Sequence, residues 1–332
     1  MKIHHAVTLR DDRPPLVLAI GYFDGVHLGH RALFARARAL CGDGMALGAL
    51  TFLNHPSEYL RPSEAPRYIT TPEERVNLLA ACGIEELYLL PFDALLARTQ
   101  AAEFLDLYLV ERLRIRALVA GEGWNYGYAR EGDIAFARSR LRPHGILVES
   151  APQVTYAEGR VSSSRIRDAI AQGDLEAADA MLAAPYALEG TVMLGMGRGH
   201  DLGFPTANLR LHPRKALPRE GVYTTYARHD GTDYPALLSL GTNPTFGGEA
   251  CAAEVWIDRF DRAIYGQSLR LHHLRFLREQ ERFDSARELV AAMERDRGAL
   301  REGFQGVLPR KNDIDENFRS ISKRDSLERF TP

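Results

Sequence analysis

Cysteine is scarce: Cys41, Cys82 and Cys251 stand far apart in a chain of 332 residues. No CxxC pair forms, so neither a zinc site nor a dithiol redox motif is indicated, and so sparse and odd a count fits a reducing compartment. Net charge is almost absent too, with Lys+Arg 42 against Asp+Glu 44 leaving −2. That balance offers no global attraction to nucleic acid or anionic lipid, though local basic sites for a phosphorylated ligand stay open. No apolar run approaches the length needed to span a bilayer, and the opening MKIHHAVTLRDDRPP lacks a signal-peptide core. The expectation is a soluble, cytoplasmic protein with no nucleic-acid and no membrane partner; oligomeric state is not legible. Two familiar phosphate-binding signatures are missing as well, since neither GxxxxGKS/T nor GxGxxG occurs.

What the chain does have is apolar material, 45% of residues against 26% charged, the balance of a soluble globular protein. Its length predicts about two domains. The first half alternates short apolar runs with helical patterns. Leu16–Ile20, Met45–Phe52, ELYLLPF, Ala117–Gly121 and ILVES read as strands. Between them, HLGHRALFARARAL sets Leu33, Phe34, Ala37 and Leu40 at helical spacing. TPEERVNLLAACG opens on Thr71-Pro72 and stops at Gly83, TQAAEFLDLYLVERL reads as a further helix, and a Ser-capped SSSRIRDAIAQGD closes the series. This alternation predicts a mostly parallel, three-layer α/β sheet. After Pro185 the pattern changes. LEGTVML, ANLRL, GVYTTYARHD, YPALLSLG, AEVWIDRF and SLRLHHLRFL are short strand candidates separated by Gly, Pro, Asn and Asp. They predict an antiparallel barrel or sandwich, ended by a helix in SARELVAAMERDRGALREGF. Leu308–Pro332 is polar and aperiodic, which predicts a tail or disordered extension.

The stretch GYFDGVHLGH follows the first strand where a helix is about to begin. In a parallel sheet, ligands bind where strands end and helices start, and a helix N-terminus with its free N–H groups is suited to phosphate. Gly21 and Gly25 allow a tight turn and close approach of an anion. His27 and His30, three apart, share a side and can donate to phosphate oxygens or, protonated, offset charge that builds in a transition state. Read on residues alone, the competing account is that Asp24 caps the helix and both histidines are surface residues.

In the second half, GMGRGHDLGFPTANLRL offers Gly-rich backbone able to wrap a phosphate chain. Thr206 and Asn208, two apart on an extended segment, face one side and carry hard oxygens suited to Mg²⁺ brought by ATP; a β-turn with a capping Thr is the plainer alternative. Glu254 is an acid set between apolar residues near the start of the strand candidate AEVWIDRF, and alternation by itself assigns it to the solvent face.

GYFDGVHLGH, TFLNHPSEYL, VAGEGWNYG and VSSSRIRDAIAQGDLEAA, in that order, resemble the adenylyltransferase module of bifunctional bacterial riboflavin kinase/FAD synthetases, within the nucleotidyltransferase superfamily. GRGHDLGFPTANL, GVYTTYA, GTNPTF, AEVWIDRFDRAIYGQSL and LRFLREQERFDSARELVAAMERD resemble that family's riboflavin kinase module. The resemblance implies a Rossmann-like nucleotidyltransferase α/β domain (FMN adenylyltransferase) over 1–185, an antiparallel β-barrel riboflavin kinase domain with a C-terminal helix over 186–307, and a polar tail over 308–332. It implies an enzyme that phosphorylates riboflavin to FMN and adenylylates FMN to FAD, using ATP and Mg²⁺. By position, Gly21, Phe23, Asp24, His27, His30, Ser162, Ser163, Ser164 and Arg167 would bind ATP in the first module, with Trp124, Asn125 and Tyr126 in a flavin loop. In the second, Gly197, Gly203, Thr206 and Asn208 would hold ATP, Thr206 and Asn208 also the metal, Glu254 would be the general base, and Arg278 would lie near the flavin.

The chain departs from the family in two places. Asn54 stands in TFLNHP where the family has Pro or another polar residue, a minor change. In GEGWNYG, where the family reads GENFRFG or GEDFRFG, Gly123, Trp124 and Asn125 replace an amide or acid, a Phe and an Arg. An aromatic surface survives for stacking, but a carboxamide and a cation are gone. That loop admits two other readings, a riboflavin kinase whose adenylyltransferase is degenerate or altered in substrate, and a non-catalytic flavin-binding regulator.

Overall fold

The computed structural model describes residues 1–7, 14–194, 203–242 and 251–303; Gly197 and the 308–332 tail lie outside the described residues. The chain forms two compact units, Met1–Arg165 and a second beginning at Ile166. The division falls inside the helix Ser163–Gln172, upstream of the change of pattern at Pro185.

In the first unit, β1 (Lys2–His4), β2 (Leu16–Ile20), β3 (Ala46–Phe52), β4 (Glu86–Leu90), β5 (Ile115–Gly121) and β6 (Leu147–Ala151) form one sheet in the order β1-β4-β3-β2-β5-β6. Every pairing in it is parallel. All of β2 is buried, because helices cover both faces, and so it reads as an unbroken apolar run rather than an alternating one. Leu16, Leu18 and Ile20 enter one core cluster, Val17 and Ala19 the other. Leu33, Phe34 and Ala37 of α1 (Leu28–Ala39) close one layer, beside α2 (Pro56–Leu60) and α3 (Pro72–Ala81) in chain order. The other layer is closed by Phe104, Leu105 and Leu109. These follow α4 (Ala94–Arg98) and α5 (Ala101–Glu103), the helix that TQAAEFLDLYLVERL predicts, but its Phe104–Arg112 part is wound as a π-helix. Then come α6 (Ile134–Leu141) and the small hairpin β7 (Thr155–Tyr156) and β8 (Gly159–Arg160); α7 (Ser163–Gln172) starts in this unit and runs into the second, which also holds α8 (Leu175–Leu182). From β2 the chain steps outward through β3 and β4, then returns to lay β5 and β6 on the opposite side, so the order reverses between β2 and β5.

In the second unit, β9 (Ala187–Met193), β10 (Thr206–Leu211), β11 (Gly221–His229), β12 (Thr232–Thr242), β13 (Cys251–Ile257) and β14 (Ser268–Arg278) close into a barrel in the order β10-β13-β12-β11-β14-β9. The pairings are antiparallel throughout, and β9, paired with both β10 and β14, closes the ring, which decides barrel over sandwich. Helix α9 (Ala286–Gly303) lays Leu300 on a cluster of Phe204, Leu237 and Trp256.

Candidate active sites

Past Ile20 the backbone turns sharply: Phe23 (φ 60), Gly25 (φ 79) and Val26 (φ 43) all enter the left-handed region. For Phe and Val that conformation is strained and must be held by its surroundings. The Phe23 ring packs on Phe34 at 4.9 Å and edge-on to His30 at 5.3 Å. Gly21 passes under that ring so closely that a Cβ would lie 2.8 Å from Phe23 Cε1. The Gly25 N–H donates to Thr70 Oγ1 at 3.0 Å. The buried Asp24 carboxylate accepts from the Ile69 N–H, the Thr70 N–H and the Thr70 hydroxyl at 3.2, 2.9 and 3.1 Å. Asp24 therefore clasps the turn to the segment before α3 and does not cap α1.

The cap is His27, whose Nδ1 accepts the His30 N–H at 3.4 Å; its ring proton is thus on Nε2. The rings of His27 and His30 stack at 3.6 Å and 16°, and His30 Nδ1 is buried without a hydrogen-bond partner. Burial above all, then His27 and the Arg75 guanidinium, holds His30 well below the ordinary imidazole range. A cationic His30 during reaction would need the charge of bound phosphates.

Ser163 Oγ donates to the Asp24 carbonyl at 3.1 Å, which ties the start of α7 to the turn. Ser162 Oγ accepts the Arg165 N–H at 3.3 Å as a helix cap. Ser164 is exposed, and Arg167 lies past the division, in the second unit. After β5, Trp124 stacks on Tyr126 at 4.0 Å and 13°, and Tyr126 meets Phe104 at 5.8 Å. Asn125 is exposed and turned back on its own loop, donating to the Gly123 carbonyl at 2.9 Å. Since β2 and β5 are parallel neighbours, the Gly21 turn and the Trp124 loop leave one edge of the sheet at its switch point, where open α/β sheets bind ligands.

The barrel builds its site from register. Asn208 pairs with Glu254 and Thr206 with Trp256 across β10 and β13; Glu254 pairs in turn with Ser239 and Trp256 with Leu237 across β12. Opposed residues share a face, and Ala253 and Val255 between them point inward, 3% and 0% exposed. Thr206, Asn208, Glu254 and Ser239 thus form a polar strip on the outer face, with Glu254 half-buried rather than open to solvent. Gln280 Nε2 donates to Ser239 Oγ and to the Leu240 carbonyl, both at 2.9 Å. Gly203, at φ +80, has open space where a Cβ would stand. Arg278 is forked on Asp296 of α9, Nε at 2.9 Å and Nη2 at 2.8 Å, and Arg301 of α9 reaches Asp258 at 2.8 Å. Together the two pairs strap the helix to the barrel.

Ser239, Gln280 and Asp296 carry no signal of their own in the sequence, because only strand register and helix docking bring Ser239 beside Glu254, Gln280 to Ser239 and Asp296 to Arg278. Arg75 had one: it is a cation on the face of α3 that also carries Leu79.

A switch-point turn in one unit and a polar strip on a closed barrel in the other define a two-domain class of enzyme with a candidate site in each domain. The chain belongs to the bifunctional riboflavin kinase/FMN adenylyltransferase family. Residues 9–165 match the FAD synthetase family and residues 182–304 the riboflavin kinase family. A relative from Listeria monocytogenes with that bifunctional name is 35% identical over 311 residues, covering 91% of this chain and 97% of its own. One from Bacillus subtilis is 32% identical, covering 89% and 93%. A solved structure described as a macrolide-efflux protein from Streptococcus pneumoniae aligns at TM-score 0.81 with 32% identity, covering 90% of this chain and 98% of that one. Among the described residues no helix is long and apolar enough to cross a membrane.

Proposed function

We infer that this chain phosphorylates riboflavin to FMN in its barrel and transfers AMP from ATP to FMN in its α/β domain, releasing pyrophosphate. What supports the reading is that each unit carries its own phosphate-handling site on elements its family match covers. In the barrel, Glu254 accepts the proton of the riboflavin 5′-hydroxyl as the γ-phosphoryl group arrives; one carboxylate within hydrogen-bond reach suffices as base. Thr206 and Asn208 would hold Mg²⁺: a hydroxyl and an amide oxygen beside a carboxylate are a hard-oxygen set, fitted to a metal that takes most of its remaining ligands from ATP and water. Bound there, the ion would neutralise phosphate charge. Arg278, committed to Asp296, serves the flavin end through the helix it tethers.

In the α/β domain the FMN phosphate attacks the α-phosphorus of ATP. The nucleophile is already an anion, so no protein base is required. His27, His30 and the α1 terminus stabilise the leaving pyrophosphate, joined by Ser162 and Ser163 at the start of α7. The stacked Trp124 and Tyr126 offer an aromatic face to the isoalloxazine ring. The site is read as cytoplasmic. Purified protein given riboflavin and MgATP should form FMN and then FAD on chromatography over time; absence of FMN would overturn the kinase reading. One observation favours a second account of the first domain: Asn125 bonds its own loop and supplies no cation. Incubation with FMN and MgATP separates the two, since a degenerate domain yields no FAD.

A further inference from the structure

Arg75 is only 1% exposed. Its burial follows from local sequence. Thr71 caps α3 in a capping box with Glu74, Pro72 fixes the first turn, and Arg75 then falls on the side of the helix that carries the buried Leu79. Its Nη2 donates to the carbonyls of Phe52 and Leu53, at 2.5 and 3.3 Å, where β3 ends. Its guanidinium carbon lies 4.2 Å from the centre of the Tyr22 ring, the residue between Gly21 and Phe23. Nε and Nη1 are sealed from solvent and unbonded. Among the described residues no carboxylate makes an ion pair with it; the nearby acid, Asp24, spends its oxygens on Ile69 and Thr70.

An unpaired, buried guanidinium is an expensive way to satisfy two carbonyls, since buried charges are ordinarily paired. A group that leaves its charge uncompensated in the free protein is explained when an anion arrives at the site in the working state. The neighbours fit that account. His30, with its own buried and unbonded Nδ1, feels the Arg75 charge, and α1 turns its positive terminus to the same turn.

We propose that Arg75 is a positioning residue of the adenylyl-transfer site, a fixed buried cation behind Tyr22 and the His27–His30 pair that holds the Gly21–Val26 turn against the end of β3 and favours the polyphosphate bound there. It does not touch substrate. It acts through the turn it braces and through its charge, which needs no reorganisation as negative charge develops on the departing pyrophosphate.

This inference rests on the adenylyl-transfer reading, and the experiment keeps the two apart. Full-length wild type, R75M and R75K are assayed for FAD formation from FMN and MgATP, for inhibition by pyrophosphate, and for FMN formation from riboflavin. If wild type makes no FAD, the functional reading fails first. Given wild-type FAD formation, R75M should lose about tenfold or more in kcat with weakened pyrophosphate inhibition. R75K, which keeps the charge, should stay within about threefold, and riboflavin phosphorylation should be unchanged in both. R75M within twofold of wild type, or R75K falling as far as R75M, would overturn the proposal. Should R75M fail to fold, a folded R75K decides alone: near-wild-type turnover and pyrophosphate inhibition support it, and a tenfold loss sinks it.

Discussion

The two candidate sites are built by opposite constructions. In the α/β unit the site is a strained piece of backbone: the four-residue turn Phe23–Val26 holds Phe23, Gly25 and Val26 in the left-handed region, and buried charges at Asp24 and Arg75 keep them there. In the barrel the strands that carry the site, β10, β13 and β12, pair without register shifts, and the site is an alignment of side chains, Asn208 beside Glu254 beside Ser239, fixed by antiparallel register. Strain of the first kind is held by packing from several elements, whereas the second needs only that each strand stay in its pairing. The first site should therefore respond to changes in shape and burial around it, the second chiefly to changes in the strip itself and in the helix laid over it.

The sharpest break between them is Glu254→Ala. FMN formation should fall by about a thousandfold, in the range for loss of a general base, while FAD formation from supplied FMN stays intact; loss of both in a kinetic assay would mean the sites are not divided as proposed. Next is His30→Ala, expected to slow FAD formation about a hundredfold and to leave FMN formation alone.

That contrast also explains what could be read in advance. The GYFDGVHLGH turn is contiguous, so its residue types and its place between strand and helix are visible in the sequence, as is the alternation that builds the parallel sheet. The barrel strip is not contiguous. That Asn208 faces Glu254 depends on a register that no single segment encodes, and alternation alone puts Glu254 in solvent where the fold half-buries it. The roles come from family resemblance; Ser239 falls outside the matched motifs, and Gln280, inside one, has no role that the resemblance names. Arg75 stands in the sequence as an ordinary cation on a well-capped helix. Short helices such as α2, α4, α6 and α8 escaped because they are too brief to show a period, and each is marked mainly by one capping side chain, His55, Asp93, Asp133 or Asp174.

Two smaller tests probe the supports rather than the chemistry. Asp24→Asn replaces an acceptor of three hydrogen bonds with a group that turns donors toward donors. Loss of charged hydrogen bonds should lower the stability of its unit by about 2 kcal/mol, read by denaturant titration, with FAD formation impaired and FMN formation preserved. Asp296→Asn unforks Arg278 and loosens α9. The riboflavin KM should rise about threefold to tenfold, as expected for losing on the order of 1 kcal/mol from a partly exposed pair, with little change in kcat. An unchanged KM would free α9 from any part in holding the flavin.

The smallest effect tests whether the barrel unit, too, keeps an uncompensated charge. Asp233 is well paired: burial pushes its carboxyl up, but hydrogen bonds from His272 and the Arg228 fork outweigh that and hold it below its ordinary range. Its contribution is complete above about pH 4 and is lost on acidification. Asp179 on α8 behaves oppositely. Burial raises it to about 6, against relief from the Tyr186 N–H and the more distant Arg275. The folded state then binds a proton more tightly than the unfolded chain, so stability present at low pH falls as pH rises from about 4 through 6. Asp179→Asn should flatten that fall, by on the order of 1 kcal/mol or less after solvent screening, while the amide oxygen still accepts from Tyr186. Denaturant titrations of both proteins between pH 4 and 8 measure the difference in slope. Parallel curves would mean that Asp179 is relieved by its neighbours as fully as Asp233 is, leaving Arg75 as the contrasting case of a buried charge kept without a partner.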